Sequence, residues 1–517
     1  MDKKWWTLLA VCLGTFMLLL DITIVNVALP AIQKELHATF SDLQWVVDAY
    51  ALSLASLLLT SGSLADLYGR RTLFTVGLGI FTAGSALCGG AESPLMLITS
   101  RAFQGIGGAI MFATSLALLA SAFQGRKRGV AFGVWGAITG IAVAVGPVLG
   151  GVLTTGLSWR WIFFVNIPIG VVAVVITLTR VVESREPYAR RPDWGGFAVF
   201  TAALVSLVYA LIRAQQTSWT DAGVLACLAI AAAGVVAFVA VEHRGKEPMF
   251  DLSLFRKPAF VGASVAAFSL SATLFALLLY IVIYLQDDLG FSALGTGVRL
   301  LVLSGGILAT STLAGRATAR VPLRWLIGPG LILAGVGMVL MTGLEATTRW
   351  THLIPGFIVA GLGTGIVNPP LASAAVGVVE PRRAGMASGI NSTFRQVGIA
   401  TGIAALGTIF SQHLDSTLAA GLRRVPALAA HGHQIAVAVS NGASGQVLAR
   451  VPAPLRGFLV HQVRASFASS LDLVLWIGGV AALVGAIAAG VLLRQRDFAQ
   501  GSASHERASA MAGAGAG

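Results

Sequence analysis

Residues 5–30 read WWTLLAVCLGTFMLLLDITIVNVALP, an apolar run whose single charged side chain is Asp21. About 20 helical residues cross a hydrocarbon core, so this run is long enough to span one. Trp5 and Trp6 stand at one end, where indole rings favour headgroup level. Pro30 closes the other. The run exceeds the apolar core of a signal peptide and leads directly into a second apolar run, so it is expected to be retained. Working outward, the pattern recurs near 43–63, 72–91, 95–121, 129–156, 161–182 and 194–212, then near 221–241, 258–285, 296–314, 325–344, 352–375, 389–410 and 467–493. Fourteen membrane helices are therefore predicted.

Composition agrees with a chain solvated by lipid. Hydrophobic residues make up 56% of the 517 and charged residues 11%, against about 25% charged in a globular protein. Mean hydropathy is +0.82. The net charge of +13 does not indicate nucleic acid, because Lys and Arg sit in short clusters between apolar runs rather than on one face. Twenty-three of the 35 fall on the side that holds both termini, and nine on the other. This asymmetry predicts cytoplasmic termini, and the membrane expected is the inner (plasma) membrane.

The chain also repeats. Gly105-Ile-Gly107 recurs as Gly361-Leu-Gly363, and Arg128-Gly129-Val-Ala-Phe-Gly133 as Ala384-Gly385-Met-Ala-Ser-Gly389, both at an offset of 256 residues. Two six-helix halves are expected, over 1–182 and 258–493, flanking two inserted helices within 183–257. The segment 411–466 reads as a long extracytoplasmic loop, and 494–517, rich in Ala, Gly and Ser, as a disordered cytoplasmic tail. Parallel six-helix repeats are one architecture of alternating-access transporters.

Enzymatic signatures are missing. The single Gly-Lys pair, Gly245-Lys246, has no phosphate-cradling glycine pattern before it. Cys12, Cys88 and Cys227 each lie in apolar runs, and no metal-ligand spacing or cofactor motif stands out. Active transport by such a chain draws on a gradient, with protons as the coupling partner.

Few charges enter the spans, and those that do mark ion or substrate pathways by default. Asp21 lies nine residues before Pro30, Arg101 seven after Pro94, and Asp48 about six into the second span. At 1.5 Å per residue, all three reach a similar depth, roughly 10–14 Å from the end remote from the termini. The matching positions of the second half are uncharged. Asp21 is expected to carry the proton, Arg101 to tune it, and Asp48 to assist with proton or cation binding. Arg395, near the inner end of the thirteenth span, is expected to snorkel to the interface, with lipid-headgroup binding or closure of the inner gate as the alternatives. Arg299 and Asp472, near span ends, have easy access to water and are assigned no role.

Several stretches resemble the Major Facilitator Superfamily, and specifically its fourteen-helix drug/proton antiporters. Gly62-Ser-Leu-Ala-Asp66-Leu-Tyr-Gly69-Arg70-Arg71 is similar to the superfamily signature between helices two and three, a gating latch, although Leu67 stands where a basic residue is common. Leu97 to Arg101 with Gln104 and Gly105 resembles the helix-four motif associated with proton transfer. Gly146-Pro147-Val-Leu-Gly150-Gly151 is similar to the antiporter motif of helix five. Leu20 to Pro30, including Asn26, and Trp159 to Pro168, including Asn166, resemble patterns of the fourteen-helix branch. Asn26, Gln104, Gly105, Asn166, Gly361, Gly363 and Pro369 are expected to line a cavity or pack helices.

The resemblance implies an all-α polytopic membrane protein with no cofactor. Its expected function is to export amphipathic organic compounds in exchange for protons, in contact with membrane lipids and without nucleic acid. An exporter dedicated to a lipid or an endogenous metabolite remains open, as do a nutrient importer of the same fold and a receptor or scaffold without turnover. Oligomeric state is not legible.

Overall fold

The computed structural model describes residues 2–123, 126–185, 193–244, 252–318, 321–378, 384–423, 425, 435 and 453–494. Among them the regular structure is helical: α1 (Lys3–Leu36), α2 (Phe40–Tyr68), α3 (Arg70–Gly89), α4 (Pro94–Ala122), α5 (Arg126–Gly156), α6 (Trp161–Phe164), α7 (Asn166–Arg180), α8 (Trp194–Gln216) and α9 (Ala222–Arg244). After the insert come α10 (Pro258–Ile283), α11 (Ala293–Ala317), α12 (Arg324–Val339), α13 (Ile354–Gly377), α14 (Ala384–Leu422) and α15 (Ala453–Leu492). Thirteen stretches among the described residues are long and apolar enough to cross a membrane, with α6 and α7 acting as one, and α12 is a shorter apolar helix. The protein is a multi-pass membrane protein.

Packing follows the repeat. In the first half α1 packs on α5 and α7, α2 on α4, and α3 on α4 and α7; in the second α10 packs on α14 and α15, α11 on α13, and α12 on α13 and α15. The duplicated glycines explain this. A Cβ at Gly105 would strike the Tyr50 carbonyl of α2, and one at Gly361 the Leu303 carbonyl of α11. Gly107 and Gly363 lie equally close to the backbones of α3 and α12. Four glycines thus let α4 and α13 each touch two neighbours at backbone distance, the usual device of helices that associate without a hydrophobic drive.

Between the halves, α5 meets α11 and α2 meets α14, two seams that the repeat interchanges. On the side remote from the termini, a single core draws on both halves, with Phe40, Tyr280 and Phe410 at its centre. The rings of Tyr280 and Phe410 stack 4.9 Å apart. Towards the termini the cores separate, one within the first half around Phe74 and Phe81, the other almost wholly within the second around Phe260 and Leu371. The shared core thus lies on the far side, while on the terminal side Leu59 of α2 still packs against α14 near Gly389.

The inserted pair has a definite place. α8 lies along the α2–α14 seam, where Thr408 Oγ1 donates to the Leu211 carbonyl at 2.6 Å and Trp45 faces Tyr209. α9 packs mainly on α8, with only 17% of its apolar stretch buried, so its outer face meets lipid.

Two expectations need correction. The segment 411–466 is not simply a loop, since α14 runs on to Leu422 and α15 begins at Ala453. Leu418, Leu422, Ile435 and Leu459 form a small apolar cluster there, and His413 bonds Ser469, so the helices keep packing beyond the hydrophobic span. Hydropathy cannot register a helix once it leaves the bilayer. The eleventh span, expected to reach 344, stops at Val339, because Asp472 accepts the N–H groups of Gly343 and Leu344 and holds a turn in which Gly343 takes a φ of +84°. Asp472 therefore has a structural partner. The tail from 495 onward lies outside the described residues.

Candidate functional site

The intramembrane charges separate into two environments. Asp21, midway along α1, is fully buried, and Arg101 of α4 donates to its Oδ2 at 2.5 Å with both side chains shielded from solvent. Arg101 is held from other directions too: Nε donates to the Val46 carbonyl at 3.1 Å, Nη1 to Gln104 Oε1 at 2.7 Å, and the guanidinium lies 4.2 Å from the Tyr50 ring. Gln104 Nε2 reaches Asp21 Oδ1 at 2.9 Å and Ser85 Oγ at 2.7 Å. Asn166 completes the shell, its amide 3.3 Å from Ser85 Oγ and 3.5 Å from Asp21. Asn166 stands at the first position of α7, after Val165, which keeps helical dihedrals. Pro168 follows in the first turn of α7, where a missing N–H removes no helix bond.

Asp48 does not join this network. It is fully buried on α2, neither carboxyl oxygen has a hydrogen-bond partner among the described residues, and its near neighbour is Tyr280 of α10. The three charges share a depth but not a site. Helical rotation separates them: α2 turns Asp48 towards the second half and Tyr50 towards Arg101.

Next to the charge pair, a small pocket of about 10 Å³ lies between the halves. Its lining, almost wholly apolar, includes Ile22, Val47 and Ile399 together with Tyr50, Arg101 and Gln396. The residues expected to line a cavity or pack helices are not among the lining of this pocket. Asn26 bonds within its own helix, to the Ile22 carbonyl, while Gln104 and Asn166 serve Asp21. Gly105, Gly361 and Gly363 are packing residues, and Pro369 sits within α13 near Gly315 of α11.

The glycine-proline motif of α5 forms both of its contacts from one turn. Cβ atoms at Gly146 and Gly150 would collide with Thr23 and Ile24 of α1; one at Gly151 would meet Ala293 and Leu294 of α11, whose Gly297 abuts the Pro147 carbonyl. This motif ties α5 to its own half on one face and to the other half on the opposite face.

At the turn between α2 and α3, Gly69 takes a φ of +111°, open to glycine and strained for other residues. Glu183, just beyond α7, clasps this turn. Its carboxylate accepts the N–H groups of Arg71 at 3.0 Å and Thr72 at 3.1 Å and the Thr72 hydroxyl at 2.6 Å, capping the start of α3. Arg70 N donates to the Ser184 carbonyl, and Arg71 Nη2 to the Leu178 carbonyl at 2.5 Å. Partial burial works against the ionised carboxyl of Glu183, but the Thr72 hydroxyl and the three backbone N–H donors of Arg71, Ser184 and Thr72 outweigh it and hold the group below the ordinary carboxylate range. A Cβ at Gly62 would meet nothing nearby, and the Asp66 side chain lies outside the described residues. At the other end of the molecule Trp159 and Arg160 both bind Glu35, fastening α6 to α1.

Ser85, Tyr50, Gln396, Glu35 and Glu183 were not legible as functional. Tyr50 carried one signal, as one of only six tyrosines and within an apolar span. Arg395 does not snorkel: its Nη1 donates to Asn368 of α13 at 3.2 Å, inside the bundle. Arg299 bonds its own helix and lies 3.5 Å from the Phe291 ring. Among the described residues no group of three metal-ligating side chains occurs.

Two pseudo-equivalent six-helix halves around a central pocket, with a buried charge pair in one, define a membrane transporter. The chain belongs to the Major Facilitator Superfamily, whose family model matches residues 11–403. It is 38% identical over 419 residues to the multidrug resistance protein Stp of Mycobacterium tuberculosis, covering 81% of this chain and 78% of that protein. It is 32% identical to the tetracenomycin C resistance and export protein of Streptomyces glaucescens, with 94% and 91% covered. The puromycin resistance protein pur8 of Streptomyces alboniger is 35% identical, with 85% and 89% covered. Among solved structures, a bacterial homologue of the human lysosomal transporter Spinster, inward-facing and unoccupied, superposes with a TM-score of 0.62 at 17% identity, covering 96% and 98%. That likeness concerns the fold.

Proposed function

We propose that the chain exports amphipathic organic molecules across the inner (plasma) membrane in exchange for protons, with both termini in the cytoplasm. The observation that carries this reading is the dual position of Arg101: the guanidinium that holds Asp21 also lines the pocket between the halves. A proton on Asp21 cancels the charge that fixes Arg101 and changes the wall of the pocket. Substrate bound there alters, in turn, how firmly Asp21 is held. Occupancy of the two sites is then linked, and such linkage is reciprocal.

In this reading the halves open on the terminal side to admit substrate from the cytoplasm, and the opposite arrangement releases it outside. The seams α5–α11 and α2–α14 are the surfaces on which the halves rock. Asp48 faces the second seam, so rocking changes its surroundings, and it serves as an accessory proton site. Each proton entering down 100 mV supplies about 2.3 kcal/mol. Export is favoured over uptake by the relatives, whose names state multidrug resistance, tetracenomycin C resistance and export, and puromycin resistance. The test uses inverted vesicles and a broad compound panel while lumenal pH is recorded. Substrate should accumulate as lumenal protons leave, and Asp21→Asn should abolish accumulation driven by the pH gradient. Full coupling in a normally expressed Asp21→Asn protein would remove Asp21 from this role.

A further inference from the structure

The second half holds a charge that the coupling scheme does not use. Arg395 of α14 is half-buried, and the bond from its Nη1 to Asn368 Oδ1 of α13, at 3.2 Å, is its one side-chain hydrogen bond among the described residues. A guanidinium carries five N–H donors. Among the described residues no charged side chain lies close enough to act on Arg395, whereas Arg101 of the first half is neutralised by Asp21 at 2.5 Å. Charge at membrane depth is expensive, and where it persists it marks an ion or substrate pathway by default.

The position of Arg395 narrows its role. It lies one turn of α14, about 6 Å along the axis, to the terminal side of Ile399, which lines the pocket between the halves. Gly398 and Gly402 abut Phe268 and Ala272 of α10, and Gly389 abuts Leu59 of α2. Arg395 and Ile399 occupy the surface of α14 between those two contacts, so the guanidinium stands on the inner face of the second half rather than towards lipid. A molecule entering from the terminal side meets it before it reaches the Asp21–Arg101 pair. The bond to Asn368 engages Nη1 and leaves the Nε–Nη2 edge, which can grip a carboxylate through two parallel hydrogen bonds.

We propose that Arg395, steadied by Asn368, is an anion subsite on the substrate pathway, and that the preferred substrates are apolar bodies carrying a carboxylate or a similar acidic group. The proposal rests on the exporter reading and gives it a substrate class.

The protein in phosphatidylcholine nanodiscs would be titrated with three probes that share one fluorophore: dansylglycine, an anion at neutral pH, dansylamide, which is uncharged, and dansylcholine, a cation. The parent should bind dansylglycine at least about tenfold more tightly than the other two, the effect of charge-assisted hydrogen bonds. Arg395→Gln should erase this preference and leave dansylamide within about twofold, while Arg395→Lys should keep part of it. Asn368→Asp supplies the guanidinium with a carboxylate of its own, so it should also lose the preference, and should unfold at the same or a higher temperature than the parent because a lone cation gains a partner. A parent without the preference overturns the proposal, as does an Arg395→Gln protein that keeps it; both results leave the exporter reading standing. If Arg395→Gln fails to fold, Asn368→Asp decides, and dansylglycine bound as tightly as by the parent overturns the proposal. If phosphatidylglycerol in the nanodisc abolishes dansylglycine binding to the parent, the guanidinium serves lipid headgroups and the proposal falls too. A parent that binds none of the three probes overturns it and counts against the exporter reading as well.

Discussion

Replacing Asp21 by Asn tests whether the buried ion pair is as tightly sealed as its geometry indicates. The substitution keeps size and shape but leaves Arg101 charged, with about 2% of its side chain exposed. Two unit charges about 3 Å apart attract by roughly 5 kcal/mol at an effective dielectric constant of 20. Breaking a buried pair by removing one partner costs about 3–5 kcal/mol. Arg101 retains its bonds to the Val46 carbonyl and Gln104, and its contact with the Tyr50 ring, so the loss should fall towards the lower end. Removing the second charge should restore much of it: Asp21→Asn with Arg101→Gln is expected to be about 2 kcal/mol more stable than Asp21→Asn alone. Unfolding in mixed micelles of rising denaturing-detergent content, followed by the fluorescence of the eleven tryptophans, reads all three proteins against the parent. A single variant as stable as the parent, with no gain in the double, would show that solvent reaches the pair and refute the argument.

Two further outcomes follow from the clasp and the far-side seam. Glu183→Ala should loosen the start of α3 by about 0.5–2 kcal/mol, the worth of a helix cap, seen as faster amide exchange over residues 70–75. Because the folded carboxyl of Glu183 lies below its ordinary value, the clasp is at full strength at neutral pH and weakens only as acidification passes down through the depressed value; protection lost already between pH 8 and 6 would contradict this. Across the halves, Gln286 Nε2 donates to the Val27 carbonyl at 2.8 Å and Gln44 Nε2 to the Ile403 carbonyl at 3.2 Å. Gln286→Leu should therefore shift the equilibrium roughly fivefold towards forms open on the far side, for a bond of about 1 kcal/mol. Distance distributions between spin labels across that opening would measure it, and an unchanged distribution would exclude the bond as a closing contact.

Much of the fold was legible because a membrane span is a property summed along the chain. Twenty apolar residues between charges announce a helix whatever their neighbours, and duplicated glycines announce a duplicated contact. Gly105 and Gly361 were legible as a repeat, but what they touch was not. The site was only partly legible. Asp21 and Arg101 were expected to share a layer and are partners, while Asp48, placed in the same layer, faces the other half. Its separation depends on how far α2 is rotated, which one sequence position cannot reveal.

The amino-acid sequence by itself determined the lipid-solvated class, the all-helical membrane fold, the two halves and the scarcity of buried charge, all of which follow from local hydropathy and composition. Tertiary structure alone decided which carboxylate meets the guanidinium, how α8 covers one seam, and how Glu183 grips a turn more than a hundred residues away. Those outcomes depend on helix rotation and on contacts between distant segments, where a shift of one residue turns a side chain about 100° and exchanges one partner for another.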